Sequence, residues 1–250
     1  MKNNFFNLPV ANIHSKPTSK SEVVSQILYG DKFKILFQKK NWLKIKTNYD
    51  RYEGFIKKEN FYKEFKPLKK IYSLKTKIYK KVRGKFETTN KFLYFGTGIS
   101  IKNTEKKFLE FENNKWIKIR DTKNISHIEK NFIKIISQFL NIKYLWGGKT
   151  SEGIDCSALI QIFFYYNRIF FPRDSKDQIK FCKKKNNKKF IVGDIIFWKG
   201  HVGICINSFK FIHAYGPKKR VLIMPINFAI KLIKKTAQLD IKKISNIKNY

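Results

Sequence analysis

The sequence is poor in cysteine and acidic residues and has no long hydrophobic run. Its 250 residues include three cysteines, none paired at CxxC spacing, so neither a disulfide framework nor a knuckle-type metal site is predicted. No window reaches the roughly 18–20 apolar residues of a membrane-spanning helix. The N-terminal residues lack a secretory apolar stretch, so we expect a cytoplasmic protein in a reducing compartment, with export to the cell envelope as the alternative.

Arginine and alanine are also scarce, whereas lysine is abundant. Lys and Arg total 54 against 18 Asp and Glu, a net charge of +36, but only six of the cations are arginine. Base recognition favours the bidentate arginine fork, and the lysines are spread over the whole chain, so no nucleic-acid partner is expected. Ile, Asn and Lys make up 104 of the 250 residues, a bias typical of an AT-rich coding sequence. The hydrophobic fraction of 42% excludes a disordered chain.

The first 125 residues predict short strands separated by turn residues. A weak internal repeat relates the Leu28-Tyr29-Gly30 and Trp42 region to the Leu93–Gly96 and Trp116 region. Each unit of about 60 residues suits a small β-barrel, which predicts domains at 1–63 and 64–124 with a linker at 64–70. The clearest strands are predicted at residues 24–28, 33–37, 42–45 and 52–56.

After Lys123 the pattern changes to helices followed by a sheet. Apolar residues from Ile128 to Leu140 mark one face of a helix, and Cys156–Asn167 is apolar nearly all round, which predicts a buried central helix. Helices first and antiparallel strands second predict an α+β domain over residues 125–250. The strands of this domain are predicted at residues 195–198, 201–206, 209–213 and 221–225.

Three residues of this domain could form a nucleophilic site. Cys156 lies at the predicted start of the buried helix, where free N–H groups stabilise a thiolate, although the charge of Asp155 opposes this. His201 opens one predicted strand and His213 ends the next, so both lie at the same edge of the sheet. An imidazole that takes the thiol proton, held by a second imidazole, is an arrangement for acyl transfer.

Other interpretations of these residue types stay open. A cysteine at the start of an apolar helix, such as Cys156, is often a small core residue. We expect a core position for Cys205 as well, which lies inside a β run. Cys182 precedes a Lys/Asn run and has no assigned role, and the isolated His14 and His127 are expected at the surface. Metal binding by the cysteine and the two histidines lacks the usual ligand spacing.

The surroundings of Cys156 resemble those of a known family. The segment YLWGGKTSEGIDCS resembles the active-site segment of the NlpC-type cell-wall peptidases, which are papain-like cysteine peptidases of bacteria. Further motifs follow in the family's order, and the N-terminal β repeats resemble bacterial SH3-like domains. The resemblance implies two SH3-like β-barrels before a papain-like α+β domain. The motifs lie at residues 144–157, 172–178 (PRDS and Gln178), 192–197 (VGDIIF), 201–204 (HVGI) and 211–214 (FIHA).

The resemblance implies Cys156 as nucleophile, His201 as general base and His213 as the orienting residue. Family members cleave the γ-D-glutamyl–diamino acid bond of murein peptides, and members with SH3-like domains accept a free N-terminal L-Ala. The implied function is a cysteine endopeptidase acting on murein-derived peptides, without a cofactor or metal; the oligomeric state stays open. By resemblance, the substrate-binding residues are Trp146, Asp155, Ser157, Ser175, Glu22 and Tyr52.

Asp155 would then bind the substrate ammonium, and Glu22 and Tyr52 would close the pocket over it. Two positions depart from the family pattern: Ala158 replaces a usual Gly, and Gly200 replaces a frequent Ser, which leaves specificity open. The rivals to this function are an exported wall-remodelling hydrolase, a decayed murein-binding module, a basic nucleic-acid-binding protein, and an acyltransferase or amidase with the same Cys–His chemistry.

Overall fold

The chain divides into two compact units in a computed structural model that describes residues 3–186 and 189–248. The N-terminal unit comprises residues 1–128 and the C-terminal unit residues 129–250. Among the described residues, none of the helices combines the length and the apolar character that crossing a bilayer requires.

The N-terminal unit is built from antiparallel strands. Its described strands are β1 (Asn3–Phe5), β2 (Val10–His14), β3 (Val23–Leu28), β4 (Lys32–Lys39), β5 (Trp42–Thr47), β6 (Glu53–Lys57), β7 (Lys69–Ile71), β8 (Lys75–Val82), β9 (Lys85–Tyr94), β10 (Gly98–Ile99), β11 (Asn103–Glu105), β12 (Phe108–Glu112), β13 (Lys115–Lys118) and β14 (Thr122–Asn124). They form three sheets with the orders β1-β4-β5-β6-β2-β3, β10-β7-β14 and β11-β12-β13-β8-β9.

Two hydrophobic cores lie within this unit, because alternate residues of each strand point to the same side. The first core belongs to the six-stranded sheet, and the second lies among the sheets that follow it. The first contains Phe6, Ile13, Ile27, Phe33, Leu43, Ile45, Ile56 and Phe61. The second contains Tyr29, Ile71, Ile78, Leu93, Ile99, Leu109, Phe111 and Ile117.

Sequence predictions for this unit succeed best for its early strands. The four strands predicted before residue 60 are confirmed to within two residues at each end. The linker predicted at residues 64–70 extends two residues too far, because Lys69 and Lys70 belong to strand β7 and Lys70 is fully buried. The prediction of a surface position for His14 is wrong: its side chain is buried, and its ring packs against Trp42 with 5.2 Å between centroids.

The C-terminal unit combines helices with an antiparallel sheet, and the predicted α+β class is confirmed. The described helices are α1 (Phe132–Ile136), α2 (Cys156–Tyr166), α3 (Ser175–Phe181) and α4 (Ile226–Ala237). The described strands are β15 (Lys149–Thr150), β16 (Gly153–Ile154), β17 (Asp194–Trp198), β18 (His201–Cys205), β19 (Lys210–Tyr215), β20 (Arg220–Pro225) and β21 (Lys243–Asn246). The main sheet has the order β20-β19-β18-β17-β21, and β15 pairs with β16.

Helix α1 is shorter than its apolar pattern predicts. The Asn131 side chain accepts hydrogen bonds from Ile133 N and Lys134 N, so it caps the helix after Ile128 instead of before it. A 3₁₀ turn at Ser137–Phe139 then ends the helical segment. As a result Ile128 and Leu140, at the two ends of the predicted face, are exposed.

Helix α2 is the centre of the C-terminal unit. Ten of its eleven residues are buried, as expected for a helix that is apolar on every side. It packs against strand β18, and the ring of Phe164 stacks on that of Phe171 with 4.0 Å between centroids. Because the helix is enclosed along its length, the position of its first residue, Cys156, is fixed by the core.

Candidate active site

Cys156 occupies the first turn of α2 and is 4% exposed. Burial raises the pKa of its thiol to about 12, and the negative charge of Asp155 acts in the same direction. Hydrogen bonds from the backbone of Val202 and Ser157 and the charge of Arg173 oppose this shift without reversing it. The thiol is therefore protonated at neutral pH, and it needs a base in order to become a nucleophile.

Asp155 is the N-cap of α2 and forms a buried ion pair with Arg173. Asp155 Oδ1 accepts from Ala158 N at 2.8 Å, as a capping carboxylate does. Arg173 donates to Oδ1 at 3.0 Å and to Oδ2 at 2.7 Å, a bidentate arrangement that a lysine cannot reproduce. Ser157 Oγ and Gly147 N donate to the same carboxylate. Five donors thus converge on it and hold the start of the helix in place.

His201 and His213 lie side by side on neighbouring strands β18 and β19. His201 Nε2 is 2.9 Å from His213 Nδ1, so one proton is shared in a direct hydrogen bond between the rings. His213 is fully buried, and its ring stacks on that of Tyr215 with 4.8 Å between centroids. Strand β19 continues to Tyr215, so the prediction that His213 ends its strand is wrong, although the pairing with His201 is observed.

Both imidazoles are held neutral by their surroundings. Burial lowers the pKa of His201 to about 4, and burial together with the His201 charge lowers that of His213 to about 2. If His201 carries its proton on Nε2, it donates to His213 Nδ1 and leaves its own Nδ1 unprotonated. In that tautomer, His201 Nδ1 is free to accept a proton, and the hydrogen bond from Nε2–H to His213 holds the ring in its orientation.

Gly203 allows the two strands to bring these rings together. A Cβ atom at this position would lie 2.3 Å from Phe211 Cζ and 2.8 Å from His213 Cβ. Any larger residue would push β19 away from β18 or displace the His213 ring. The glycine is therefore required by the close packing beside the histidine pair.

The helix side and the sheet side of the site meet at Val202. Its backbone hydrogen bond to the Cys156 sulfur comes from the residue directly after His201. In addition, Gln178 Nε2 donates to Ser157 O at 3.0 Å and to Pro172 O at 2.9 Å, which ties α3 and the Arg173 segment to the start of α2. The arrangement is able to move a proton from a buried thiol to a neutral imidazole.

Two residues at this site were absent from the predicted set. Arg173 holds Asp155, and a signal for it existed, because it is one of only six arginines in a lysine-rich chain. Tyr144 interacts electrostatically with Cys156 and Asp155: burial raises its pKa, and a negative charge on either residue raises it further. Its phenol therefore stays protonated and remains a donor near Cys156.

The predicted substrate-binding residues occupy varied positions. Ser157 is buried, Trp146 is 56% exposed, and Ser175 is the first residue of α3. Glu22 and Tyr52 belong to the N-terminal unit, where Tyr52 Oη donates to Val24 O at 3.4 Å and Glu22 is exposed. The substrate contacts of all these residues stay predictions. Within residues 3–186 and 189–248, no cluster of three His, Cys, Asp or Glu side chains could hold a metal ion.

Comparisons with known proteins agree with this architecture. Residues 141–235 match the NlpC/P60 family, and residues 9–61 match the bacterial SH3 domain. The chain is 26% identical over 237 residues to dipeptidyl-peptidase 6 of Lysinibacillus sphaericus, covering 82% of this chain and 84% of that protein. It is 24% identical over 230 residues to gamma-D-glutamyl-L-lysine dipeptidyl-peptidase of Bacillus subtilis, covering 83% and 77%.

A solved structure shows the same fold. The crystal structure of an NlpC/P60 family protein from Bacillus cereus superposes with a TM-score of 0.78 at 18% identity, covering 90% of this chain and 95% of that one. The resemblance drawn from the sequence motifs is therefore confirmed for the domain types at residues 9–61 and 141–235. A second SH3-like barrel over residues 64–124 stays a prediction.

Proposed function

With a bacterial SH3 domain and an NlpC/P60 domain in this chain as the premise, we propose that it hydrolyses the γ-D-glutamyl–diamino acid bond of murein peptides, with Cys156, His201 and His213 as its triad. The protein is a cell-wall peptidase of the cysteine type. The names of the relatives from Lysinibacillus and Bacillus support peptide bonds of this kind as the substrate.

The observation that carries the triad is the 2.9 Å hydrogen bond between the two imidazoles, beside a cysteine at a helix start. A buried histidine pair could serve structure alone. However, the neighbouring Val202 bonds to the thiol, and both histidines are kept neutral. A neutral base next to a protonated thiol is the resting state that general-base catalysis requires.

The reaction follows from these positions. His201 Nδ1 accepts the thiol proton while Sγ attacks the glutamyl carbonyl carbon, and His213 stabilises the imidazolium through Nε2–H of His201. The C–N bond then breaks, and His201 gives its proton to the departing amine. Water attacks the thioester, His201 takes and returns its proton, and the acid product leaves with the thiol restored.

The first turn of α2 supplies a donor for the developing oxyanion. Cys156 N–H stands at the first helical position, where no acceptor exists within the helix. A backbone N–H placed there stabilises charge that forms on the carbonyl oxygen in the transition state.

A preference for a free N-terminal amine is the finer part of the proposal. Asp155 was predicted to bind this amine, but five protein donors already reach its carboxylate. A substrate ammonium would therefore have to share or displace one of them. Comparing free with N-acetylated L-Ala-γ-D-Glu-diaminopimelate tests this preference, and equal rates of cleavage would remove it.

The main test is mass spectrometry of L-Ala-γ-D-Glu-diaminopimelate incubated with the wild-type chain, with Cys156→Ala and with Cys205→Ala. Cys205 is a matched control, because it is also a buried free thiol of the same unit. We expect release of L-Ala-γ-D-Glu by the wild type and Cys205→Ala but not by Cys156→Ala. Equal activity of all three chains would exclude Cys156 as the nucleophile.

We also propose where the protein acts: it processes soluble peptides in the cytoplasm. The rival is an exported hydrolase that acts on the polymeric wall. Cell fractionation, together with the same assay on intact sacculi, separates these two cases. Recovery of the protein in the envelope fraction with faster release from sacculi than from soluble peptide would favour the rival.

A further inference from the structure

Two phenylalanines of the C-terminal unit are exposed on adjoining elements. Phe209, in the turn between β18 and β19, is 77% exposed, more than any other large apolar side chain that the structure describes. Phe228, in the first turn of α4, is 56% exposed. The two elements meet where Ile226 N donates to Phe209 O at 2.9 Å. A single exposed apolar residue is common, but two at one end of a unit mark a candidate contact surface.

The turn holds Phe209 in its exposed position. The Asn207 side chain accepts hydrogen bonds from Phe209 N at 2.8 Å and from Lys210 N at 2.7 Å. Ile206 N donates to Lys210 O at 2.9 Å and closes the turn. Both backbone groups of Phe209 are therefore bonded. Because its backbone is fixed before a partner arrives, binding through this residue costs less conformational entropy.

Helix α4 places lysines beside Phe228. The buried residues of the helix are Ile226, Ala229 and Ile233. Phe228, Lys231 and Lys235 are exposed and follow one another at helical spacing, so they share the opposite face. Lys210, next to Phe209, is exposed as well. We call this surface the Phe patch: Phe209, Lys210, Phe228, Lys231 and Lys235.

The sequence around the Phe patch carries charge of one sign. Residues 195–239 contain eight Lys and Arg and no Asp or Glu, although the whole chain has 18 acidic residues. Asp240, the acidic residue that follows, pairs with Lys234 at 2.6 Å. The patch thus combines apolar rings with cations, and its charge is complementary to an anionic partner.

We propose that the Phe patch docks on an anionic lipid bilayer, with the two rings in the headgroup region and the three lysines at the lipid phosphates. Aromatic rings favour the boundary between headgroups and acyl chains, and lysines are attracted to a negative membrane surface. The ammonium group of lysine is a point charge on a flexible stem, which suits a fluid array of phosphates. The patch therefore matches both the apolar and the charged component of such a surface.

The same charges argue against other occupants of the patch. A symmetric dimer through this face would bring two sets of lysines together, and like charges in one interface repel. A nucleic acid would attract the lysines, but only unpaired bases could stack on the two rings. A bilayer engages the rings and the lysines together without any such requirement.

Docking at this end leaves the candidate active site accessible. The turn with Phe209 follows the last residue of β18, whereas His201 is the first residue of that strand. At about 3.3 Å per residue, His201 and Asn207 are roughly 20 Å apart. The protein would therefore process soluble peptides while it is held at a membrane surface.

The test is co-sedimentation of the full chain with vesicles of phosphatidylglycerol and phosphatidylcholine in equal parts, compared with vesicles of phosphatidylcholine alone. We expect binding to the anionic vesicles only, and weaker binding as salt is raised, because salt screens the lysine contacts. Phe209→Ser and Phe228→Ser should each lower the partition coefficient about tenfold, since each removes an apolar ring from the contact. The matched control is Phe37→Ser, which changes a 53% exposed ring of the N-terminal unit and should leave partitioning unchanged.

A second pair of variants separates the Phe patch from the overall charge of the chain. Lys231→Glu with Lys235→Glu, and Lys57→Glu with Lys58→Glu, each lower the net charge by two per residue, from +36 to +32. All four lysines are exposed. We expect the pair on α4 to weaken binding by about thirtyfold or more, and the pair in the N-terminal unit by about threefold at most.

Circular dichroism establishes that each variant is folded, and unchanged cleavage of the soluble peptide shows that the active site is intact. The vesicle assay contains no peptide, so its result stands apart from that of the peptidase assay. If Phe228→Ser does not fold, Phe209→Ser in the turn still tests the patch.

Three results would overturn the proposal. The first is equal binding to both kinds of vesicle, or binding to neither. The second is binding to anionic vesicles that both serine variants retain, or that the two charge variants weaken equally, because the contact would then lie elsewhere. The third is binding of duplex DNA or polyglutamate that requires both phenylalanines, without binding of vesicles, which would assign the patch to an acidic polymer.

Discussion

The two sides of the candidate active site are held in place by different physical means. On the helix side, five donors converge on Asp155, and Arg173 is 2% exposed with both arms of its guanidinium in use. On the sheet side, His213 makes a direct hydrogen bond to His201, and in the described chain its Nε2 atom has no partner. The nucleophile is positioned by a saturated polar network and the base by packing.

This difference has an electrostatic consequence. The ion pair on the helix side keeps a full negative charge next to the thiol, which disfavours a resting thiolate. The dry sheet side disfavours an imidazolium. Both sides therefore favour the neutral Cys–His pair, and charge separates only when the substrate carbonyl is attacked.

Arg173→Met tests the polar side most severely. It leaves Asp155 as an unpaired buried charge, and we expect a loss of about 3–5 kcal/mol in the free energy of unfolding. Urea denaturation followed by circular dichroism measures it. Lys234→Met is the matched control, because its partner Asp240 is 69% exposed, and it should cost at most about 1 kcal/mol. Equal losses for the two variants would show that the helix side is not held by its buried pair.

His213→Phe tests the packed side, and it should lower activity strongly and stability moderately. The ring keeps its stacking on Tyr215, but His201 loses its orienting acceptor, so kcat/KM should fall about 100-fold. The free energy of unfolding should fall by about 1–3 kcal/mol, because the Nε2–H of His201 is left without its acceptor. A large loss of stability with unchanged activity would reverse these roles.

Gly203→Ala probes the same packing by a smaller step. The added methyl group would meet Phe211 and His213, so we expect about 1–3 kcal/mol of destabilisation and a reduced kcat. Gly200→Ala is the control for a new methyl group: an added Cβ meets nothing within 4 Å, although its φ of 75° carries strain. If Gly203→Ala were neutral in both measurements, the close contact would not position His213.

The smallest expected effect is a change in rate with pH near neutrality. His201 has its pKa lowered to about 4 by burial, so it is neutral above that pH and loses its capacity as a base only below it. Between about pH 6 and about pH 7, kcat/KM should change by less than about 10%, where an ordinary histidine would change it about threefold. An acid limb near pH 6.5 in stopped assays would show that water reaches His201 in the free enzyme.

The elements that position the site could be predicted because each depends on local pattern. Helix α2 is apolar on all sides, and the strands around the two histidines are bounded by turn residues, so Cys156 and His201 were placed correctly. The length of α1 depended on a cap at Asn131, which its apolar pattern does not reveal. Helix α4 and strand β21 were missed, because the lysine-rich C-terminal sequence gave only weak signals for the packing that holds them.

The contacts that complete the site were beyond the sequence. The Asp155–Arg173 pair joins residues 18 positions apart in sequence, and the thiol contact to Val202 joins a helix to a strand. Arg173 stands in the PRDS motif and is one of only six arginines, but neither feature indicated that it would pair with Asp155.

Arg173 also limits how far the composition of this chain can drift. The bias toward Lys, Asn and Ile is typical of AT-rich coding, under which an AGA arginine codon is a single base change from AAA lysine. A lysine at position 173 would offer one ammonium where two parallel hydrogen bonds hold Asp155. Mutational pressure and the geometry of the buried carboxylate therefore oppose each other at this codon. A gene copy with an AAA codon at position 173 would encode a protein in which the start of helix α2, and with it Cys156, is no longer held in place.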